Sequence, residues 1–216
     1  MTVTDALVKR LGAIFTSTLS NALEDVGEDG VILGLPSVGP GMRCAGRALC
    51  VAQITGPAGA FPGSDFEVGA MIDAAKAGDI VVVANGGHCV SSWGGTASYA
   101  AKLKGVAGLI VDGGVRDREE MIEHAFPVFS RHMVPTTGRT RIRVAEIGGT
   151  VTVSETKVET GDVIVADGTG IVCVPKDRAA EVADIAEALQ ADDDQAVKEL
   201  TQGLTFSEAM SKFRKI

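Results

Sequence analysis

The sequence predicts a single α/β domain over residues 1–216, with a buried sheet and flanking helices. Three short apolar runs carry this prediction, and each ends in a Gly-rich stretch: residues 78–87, 106–114 and 161–170. Continuous apolar strands of this length are typical of a sheet that is buried on both faces. A chain of 216 residues, 45% of them hydrophobic, is long and apolar enough for one core.

The first third of the chain predicts helices around one strand. Apolar residues recur at helical spacing over 5–26, which predicts an amphipathic helix or a broken pair of helices. Gly and Pro residues then indicate turns on both sides of a predicted strand at 46–54. A helix is expected over 66–77, ending at Gly78.

The centre of the chain predicts a strand–helix–strand unit. Residues 95–104 fit a helix closed by Gly105, and they lie between the apolar runs at 78–87 and 106–114. This order is typical of a βαβ unit with parallel strands. A second, short helix is predicted over 117–125, and it should end there because Pro127 follows closely.

The C-terminal part predicts strands followed by helices. Residues 127–175 alternate short strands and turns without a convincing helix. A long acidic helix is expected from Asp177 onward, and it passes through three consecutive acids, Asp192, Asp193 and Asp194. Thr205 and Glu208 form a capping-box pattern that predicts a last short helix.

Composition and charge exclude several classes of protein. The net charge of −8 argues against a nucleic-acid binder that neutralises phosphates. The longest apolar run, Ile80 to Ala84, is far too short to span a bilayer. The N-terminal residues lack the uninterrupted apolar segment of a signal peptide, so we expect a cytoplasmic protein without a membrane partner.

Cysteines and histidines show no metal-binding pattern. No CxxC pair occurs, and we expect the cysteines to be reduced thiols in or near strands: Cys44, Cys50, Cys89 and Cys173. Among the histidines only His88 lies in a Gly-rich stretch near candidate site residues. A solvated loop position is favoured for it over a functional role.

The first candidate site is the Gly pair that opens the predicted helix at 95–104. Backbone N–H groups around Gly94, Gly95, Thr96 and Ala97 would point outward at the positive end of the helix dipole. Such a site binds a carboxylate or a phosphate, although a Gly pair before a helix is also an ordinary turn. Neither GxGxxG nor a P-loop pattern is present, so a nucleotide is not indicated.

The second candidate site follows the apolar run at 106–114, where α/β proteins place ligands. Arg116 can bind a substrate carboxylate through two parallel hydrogen bonds. Asp117 and Glu120 are three residues apart, so in a helical first turn both carboxylates would face one direction and suit Mg²⁺. An acidic first turn that caps a helix explains the same residues equally well.

The spacing of these residues resembles a known family. Gly95 is followed after twenty residues by Arg116-Asp117 and then by Glu120, within the longer stretch GGTASYAAKLKGVAGLIVDGGVRD. This pattern is similar to the group that contains the metal-dependent 4-hydroxy-4-methyl-2-oxoglutarate/4-carboxy-4-hydroxy-2-oxoadipate aldolases and the regulator of ribonuclease E activity A. Supporting stretches such as PGMRCAGRALCV and GDVIVADGTGIVCVP extend the resemblance to residues 17–175.

The resemblance implies a fold, an assembly and roles for the site residues. The fold would be a swivelling β/β/α domain, assembled as a homotrimer or a dimer of trimers with active sites between subunits. Arg116 would hold a pyruvyl carboxylate together with N–H groups near Thr96 and Ala97, and Asp117 would ligate Mg²⁺, Mn²⁺ or another divalent cation. A further carboxylate would come from a neighbouring subunit's C-terminal helix, for which the acids at 192–194 are candidates.

One position departs from the family pattern. Many aldolase members carry an acidic residue where this chain has Gly95, and Glu120 would substitute for it in ordering water at the cation. The sequence therefore predicts that Gly95→Asp in a Glu120→Ala background recovers some turnover.

Two hypotheses for function follow from the resemblance. In the first, the protein is a class II (metal-dependent) pyruvate aldolase or oxaloacetate decarboxylase acting on a small 2-keto acid through a stabilised enolate. In the second, it is a non-catalytic regulator whose acidic surface binds and inhibits a ribonuclease or helicase. Arg116, Asp117 and Glu120 together favour the enzyme, because a regulator has no need of them.

Overall fold

A mixed sheet of nine strands forms the centre of the fold in the computed structural model, which describes residues 3–213. The predicted α/β class with a buried sheet and flanking helices is confirmed. The ends of the predicted 1–216 domain, residues 1–2 and 214–216, lie outside the described residues. No helix in the described part of the chain is long and apolar enough to cross a membrane.

The secondary structure consists of short strands and mostly short helices. The strands are β1 (Val31–Ile32), β2 (Cys44–Thr55), β3 (Asp79–Ala84), β4 (Ser91–Trp93), β5 (Gly108–Val115), β6 (Val128–Met133), β7 (Ile142–Ile147), β8 (Thr150–Val153), β9 (Thr156–Glu159), β10 (Val163–Ala166) and β11 (Ile171–Val174). The helices are α1 (Asp5–Ala13), α2 (Thr16–Asp25), α3 (Val68–Ala74), α4 (Gly95–Lys104), α5 (Arg118–Glu123), α6 (Ala179–Thr201) and α7 (Phe206–Lys212), with a 3₁₀ turn at Gly63–Phe66.

The sheet combines a parallel centre with an antiparallel side. Its strand order is β1-β11-β10-β2-β3-β5-β4, with β6 also paired to β5 and β7 also paired to β2. The pairs β2–β3, β3–β5, β4–β5 and β5–β6 are parallel, whereas β10 pairs antiparallel with both β2 and β11. The carboxyl ends of the parallel strands therefore meet at one edge of the sheet, as the predicted βαβ unit requires.

β5 is buried over its whole length and is the strand around which the site forms. β3 pairs with it from Gly108 to Asp112, and β4 then pairs with Gly114 and Val115. β4 was not predicted, because its three residues lie in a polar, Gly-rich stretch that gives no strand signal. This short strand places the chain leaving β4 beside the chain leaving β5.

Most predicted helices agree with the structure, and one is corrected. The N-terminal segment is a broken pair, α1 and α2, and α4 matches the predicted 95–104 with Gly105 in a left-handed conformation behind it. The helix predicted over 66–77 is wrong at both ends. Glu67 has a left-handed backbone with φ of 36°, which separates the 3₁₀ turn from α3.

Two apolar clusters cover the two sides of the sheet. One packs the N-terminal helices and α6 against the valines of β10 and β11, and the other surrounds β3 and β5.

Burial raises the pKa of the Cys44 thiol to about 12 and that of the Cys50 thiol to about 11. All four cysteines are free; Cys173 is also buried in a strand, whereas Cys89 is exposed in a loop. The expected thiols in strands are thus found at three positions.

Asp167 provides a cap for α2 from a distant turn. Its Oδ2 accepts a hydrogen bond from the backbone N–H of Thr16 at 3.0 Å, and its Oδ1 accepts one from the Thr16 hydroxyl at 2.7 Å. Burial tends to raise the pKa of Asp167, but these bonds and those from Thr169 and Gly170 outweigh burial and lower it.

We expect Asp167→Ala to lower the free energy of unfolding at neutral pH by about 1–3 kcal/mol, since a helix cap and a buried acceptor are lost. The folded-state pKa lies below the unfolded one, so the carboxylate stabilises the protein above the unfolded pKa and loses its effect as pH falls through the folded pKa. Urea unfolding of wild type and variant at neutral and acidic pH measures both effects. Equal unfolding free energies at neutral pH would contradict the assigned cap, and exposed Asp29→Ala is the control.

Candidate active site

Two turns meet at the carboxyl edge of the sheet. One turn, at Gly94, leads from β4 into α4, and the other, at Arg116 and Asp117, leads from β5 into α5. The backbone N–H of Arg116 donates to the carbonyl oxygen of Trp93 at 3.1 Å. The backbone N–H of Gly95 donates to Oδ2 of Asp117 at 3.1 Å. Hydrogen bonds in both directions therefore hold the two turns together.

The meeting point opens into a cavity of about 180 Å³. Its polar lining includes the side chains of Arg116 and Asp117, which are 43% and 38% exposed. Its wall is completed by these residues: Phe66, Val68, Ser91, Trp93, Gly94, Thr96 and Ala97. Five of the residues selected from the sequence thus line one cavity, whereas Gly95 and Glu120 do not line it but lie close to each other at the adjoining turn.

Asp117 does not belong to the first turn of α5. Its backbone is left-handed, with φ of 60° and ψ of 46°, and the helix begins at Arg118. The prediction that Asp117 and Glu120 share a helical turn is therefore wrong, because the left-handed Asp117 lies just before the helix. The two carboxylates nevertheless both face the Gly94–Gly95 turn.

The Gly pair is required by this close approach. A Cβ atom on Gly94 would lie 2.6 Å from Oδ2 of Asp117, and a Cβ on Gly95 would lie 2.1 Å from Oε2 of Glu120. The Cβ of Glu120 itself would be only 2.6 Å from a Cβ on Gly95. Glu120 thus occupies the space that an acidic side chain at position 95 would need.

The charges around the cavity are mixed. Nε of Arg116 lies 3.5 Å from Oδ2 of Asp117, so the guanidinium and the carboxylate are close without a tight bond. The N–H groups of Thr96 and Ala97, in the first turn of α4, have no acceptor within the helix. Hydrogen-bond donors, a guanidinium and a carboxylate therefore share the cavity.

The donors at this site suit a hard divalent cation. Asp117 offers a carboxylate oxygen close to Gly94, and Glu120 offers one close to Gly95. Mg²⁺ commonly takes one or two carboxylates and completes its shell with water and substrate oxygens. Residues 3–213 contain no group of three or more His, Cys, Asp or Glu side chains placed to hold a metal.

Other candidates from the sequence lie away from the cavity. His88 is exposed in the loop before β4 and does not line the cavity. The acids at 192–194 lie on α6, which packs against α1 and α2. Burial, followed by repulsion from its two acidic neighbours, raises the pKa of Asp193. Phe66 and Val68 have no signal in their local sequence, because their place at the cavity depends on the packing of the 3₁₀ turn against β7 and of α3 against α4.

A larger cavity, of about 520 Å³, lies beside the N-terminus of α2. Its carboxylate, Asp167, is already hydrogen-bonded to the helix that it caps. The smaller cavity is the better candidate, because its guanidinium and its carboxylate are both accessible.

Comparison with known proteins agrees with the family resemblance of the sequence. The sequence profile of the RraA-like family, described as Aldolase/RraA, matches residues 16–173. The protein MJ0644 of Methanocaldococcus jannaschii is 38% identical over 109 residues, which cover 50% of this chain and 52% of that protein. The chain thus spans about half the length of that relative. A Halalkalibacterium halodurans protein with the provisional name 4-hydroxy-4-methyl-2-oxoglutarate aldolase is 29% identical over 146 residues, covering 66% of this chain and 69% of its own.

Solved structures share the fold. An uncharacterised protein from Pseudomonas syringae superposes with a TM-score of 0.87 at 27% identity and covers 97% of this chain and 98% of its own. RraAS2 from Streptomyces coelicolor, described as an unusual member of the RNase ES inhibitor RraA protein family, superposes with a TM-score of 0.77 at 22% identity, covering 94% and 99%. The chain belongs to the RraA-like family, and the fold expected from the resemblance is confirmed.

The geometry changes the expected rescue at position 95. Glu120→Ala keeps the Cβ that would lie 2.6 Å from a Cβ at position 95, so that background does not make room for an aspartate. We expect Gly95→Asp to lower the melting temperature, and Glu120→Gly to restore most of the loss when combined with it. Thermal melts of the single and double variants measure this.

Glu119→Gly provides the matched background for this comparison. It makes the same change at the preceding position of α5, so it carries the same helix penalty of about 1 kcal/mol. Equal recovery in both backgrounds would contradict the assigned overlap between positions 95 and 120.

Proposed function

We propose that this protein is a divalent-metal-dependent lyase that forms pyruvate, either from a 4-hydroxy-2-keto acid by retro-aldol cleavage or from oxaloacetate by decarboxylation. The observation that carries the proposal is the cavity in which the Arg116 guanidinium, the Asp117 carboxylate and unbonded N–H groups of α4 meet. The name of the Halalkalibacterium halodurans relative supports the same class of reaction.

Arg116 is the proposed anchor for the carboxylate next to the keto group. Its guanidinium is accessible and offers two parallel donors, and the N–H groups of Thr96 and Ala97 add further donors across the cavity. Phe66 and Trp93 close the apolar side, which would exclude water from the reacting carbon atoms.

Asp117 and Glu120 are the proposed residues for a cation such as Mg²⁺ or Mn²⁺. A bound cation would supply Lewis acidity at the keto oxygen of the substrate. The N–H of Gly95 fixes one oxygen of the Asp117 carboxylate and leaves the other available. Glu120 would orient a water molecule that accepts the proton of the C4 hydroxyl in retro-aldol cleavage.

One cavity can serve both substrates because both reactions give the same enolate. In retro-aldol cleavage the C3–C4 bond breaks after the C4 hydroxyl loses its proton. In oxaloacetate the same bond breaks with loss of CO₂, and no base is needed. Protonation at C3 then yields pyruvate in both cases.

We expect purified protein to release pyruvate from oxaloacetate with added Mg²⁺ or Mn²⁺, and EDTA to abolish the enzymatic part of this rate.

Asp117→Asn should lose activity without unfolding, since asparagine tolerates the left-handed backbone at this position. Arg116→Ala should raise KM about ten- to hundred-fold, because a charge-assisted contact is lost, and Arg116→Lys should recover little. Glu120→Ala should be intermediate.

Glu123→Gln, at the exposed end of α5, is the matched control and should behave as wild type. A rate that is equal with and without EDTA, or wild-type turnover in Asp117→Asn, would overturn the proposed site. Tight binding to a ribonuclease, together with no activity on a panel of 2-keto acids, would favour the regulator hypothesis instead. Two observations favour the regulator hypothesis as a second function: the net charge of −8 and the fold shared with RraAS2.

A homotrimer or a dimer of trimers is part of the proposal. Exposed apolar side chains lie on α4, the helix whose first turn lines the cavity, with Leu103 71% exposed and Tyr99 48% exposed. Burying them against another subunit would be favourable, and a neighbouring C-terminal helix could then bring Asp192, Asp193 or Asp194 close to the cation proposed at Asp117 and Glu120. Light scattering at micromolar concentration should give a trimer or hexamer mass, and a monomer would contradict shared sites.

A further inference from the structure

The peptide unit that joins Gly94 and Gly95 connects the interior of the protein to Asp117. Its carbonyl oxygen accepts two hydrogen bonds at 3.0 Å, one from the backbone N–H of Ser98 and one from the Ser98 hydroxyl. Its N–H, on the opposite side of the same plane, donates to Oδ2 of Asp117. A rotation of this peptide plane would therefore move the donor that orients the Asp117 carboxylate.

The direction of the Ser98 hydroxyl is determined by Trp93. The indole Nε1 of Trp93 lies 3.1 Å from Oγ of Ser98, and an indole N–H is a donor only. The Ser98 oxygen must therefore accept this bond, which leaves its single proton for the carbonyl of Gly94. Both side chains are buried, with Ser98 0% and Trp93 1% exposed, so water does not compete for these bonds.

Trp93 also holds the other half of the site through its backbone. Its carbonyl oxygen accepts from the N–H of Arg116 at 3.1 Å and from the hydroxyl of Ser91 at 2.8 Å. One buried residue thus connects to Arg116 through its carbonyl and to Asp117 through Ser98 and the Gly peptide. Because neither glycine has a side chain, these hydrogen bonds are what restrict the orientation of the peptide plane.

We infer that Ser98 and Trp93 are positioning residues, which set the orientation of the Asp117 carboxylate toward the cation and the substrate. This inference rests on the proposed function, and it assigns no contact with the substrate to Ser98. Supporting residues of this kind typically change metal affinity by about 10–100-fold when removed. Three successive hydrogen bonds separate Trp93 from Asp117, so we expect a change in metal affinity at the lower end of that range.

The test measures Mn²⁺ affinity directly, by electron paramagnetic resonance of the free ion, besides oxaloacetate kinetics. We expect Ser98→Ala to raise the Mn²⁺ dissociation constant about ten-fold. Trp93→Phe should raise it less, about three-fold, since the Ser98 hydroxyl is then free to rotate but can still donate. Ser98→Thr keeps the hydroxyl, so it should retain the Mn²⁺ affinity of the wild type.

Ser130→Ala is the matched control. Ser130 is also buried, and its hydroxyl also donates to backbone carbonyls, at Gly113 and His132, but it has no bond to the Gly94–Gly95 peptide. We expect a similar loss of thermal stability in Ser130→Ala and Ser98→Ala, with Mn²⁺ affinity changed only in the second. Equal Mn²⁺ affinity in wild type and Ser98→Ala, with binding lost in Asp117→Asn, would overturn the inference and leave the proposed function standing.

Two further outcomes are decided by the same set of variants. If Ser98→Ala does not fold, as judged by circular dichroism, Trp93→Phe and Ser98→Thr carry the test, and wild-type affinity in Trp93→Phe then counts against the inference. If the wild type binds no Mn²⁺ and Asp117→Asn changes nothing, the proposed function fails, and the positioning roles fail with it.

Discussion

The pairing of β5 with two strands in succession along one edge is the constraint on which the site depends. β3 follows β5 as far as Asp112, and β4 then takes over at Gly114 and Val115. Because β4 is so short, the chain turns into α4 just where β5 turns into α5. Backbone pairing therefore brings the first turn of α4 next to the acidic start of α5, and the hydrogen bond from the Gly95 N–H to Asp117 holds the two turns together.

This juxtaposition demands an unusually close approach between the two turns. Glycine at positions 94 and 95 leaves room for the carboxylates of Asp117 and Glu120, which any Cβ would displace. The flexibility of glycine would make such a turn imprecise in the absence of other restraints. Buried hydrogen bonds from Ser98 and the backbone pairing of Trp93 supply those restraints, so the site combines open space with a fixed backbone.

The left-handed backbone of Asp117 belongs to the same arrangement. A non-glycine residue in this region costs on the order of 1 kcal/mol, and aspartate tolerates it better than most residues. The cost is offset by the hydrogen bond from Gly95 and by the contact with Arg116. The carboxylate is thereby turned toward α4 instead of following the helical direction of α5.

Much of the fold follows from local patterns in the sequence. The apolar runs at β3, β5 and β10, the helix α4 with its closing glycine and the capping box of α7 depend on hydrophobic periodicity and on backbone preferences, which short segments carry themselves. The motif around Arg116 also identifies the family, and it selects the residues that line the cavity.

Other features were decided only by the tertiary structure. β4 has no strand signal and exists because β5 offers it an edge. Phe66 reaches the cavity from the 3₁₀ turn before α3, and that turn packs against β7. Asp117 and Glu120 face the same glycines although they do not share a helical turn, since that approach depends on where two separate turns meet in space. The sequence by itself determined most of the strands and helices, and it predicted five of the residues that line the cavity. The tertiary structure decided their distances and the buried bonds behind them, because contacts between distant segments leave no local pattern.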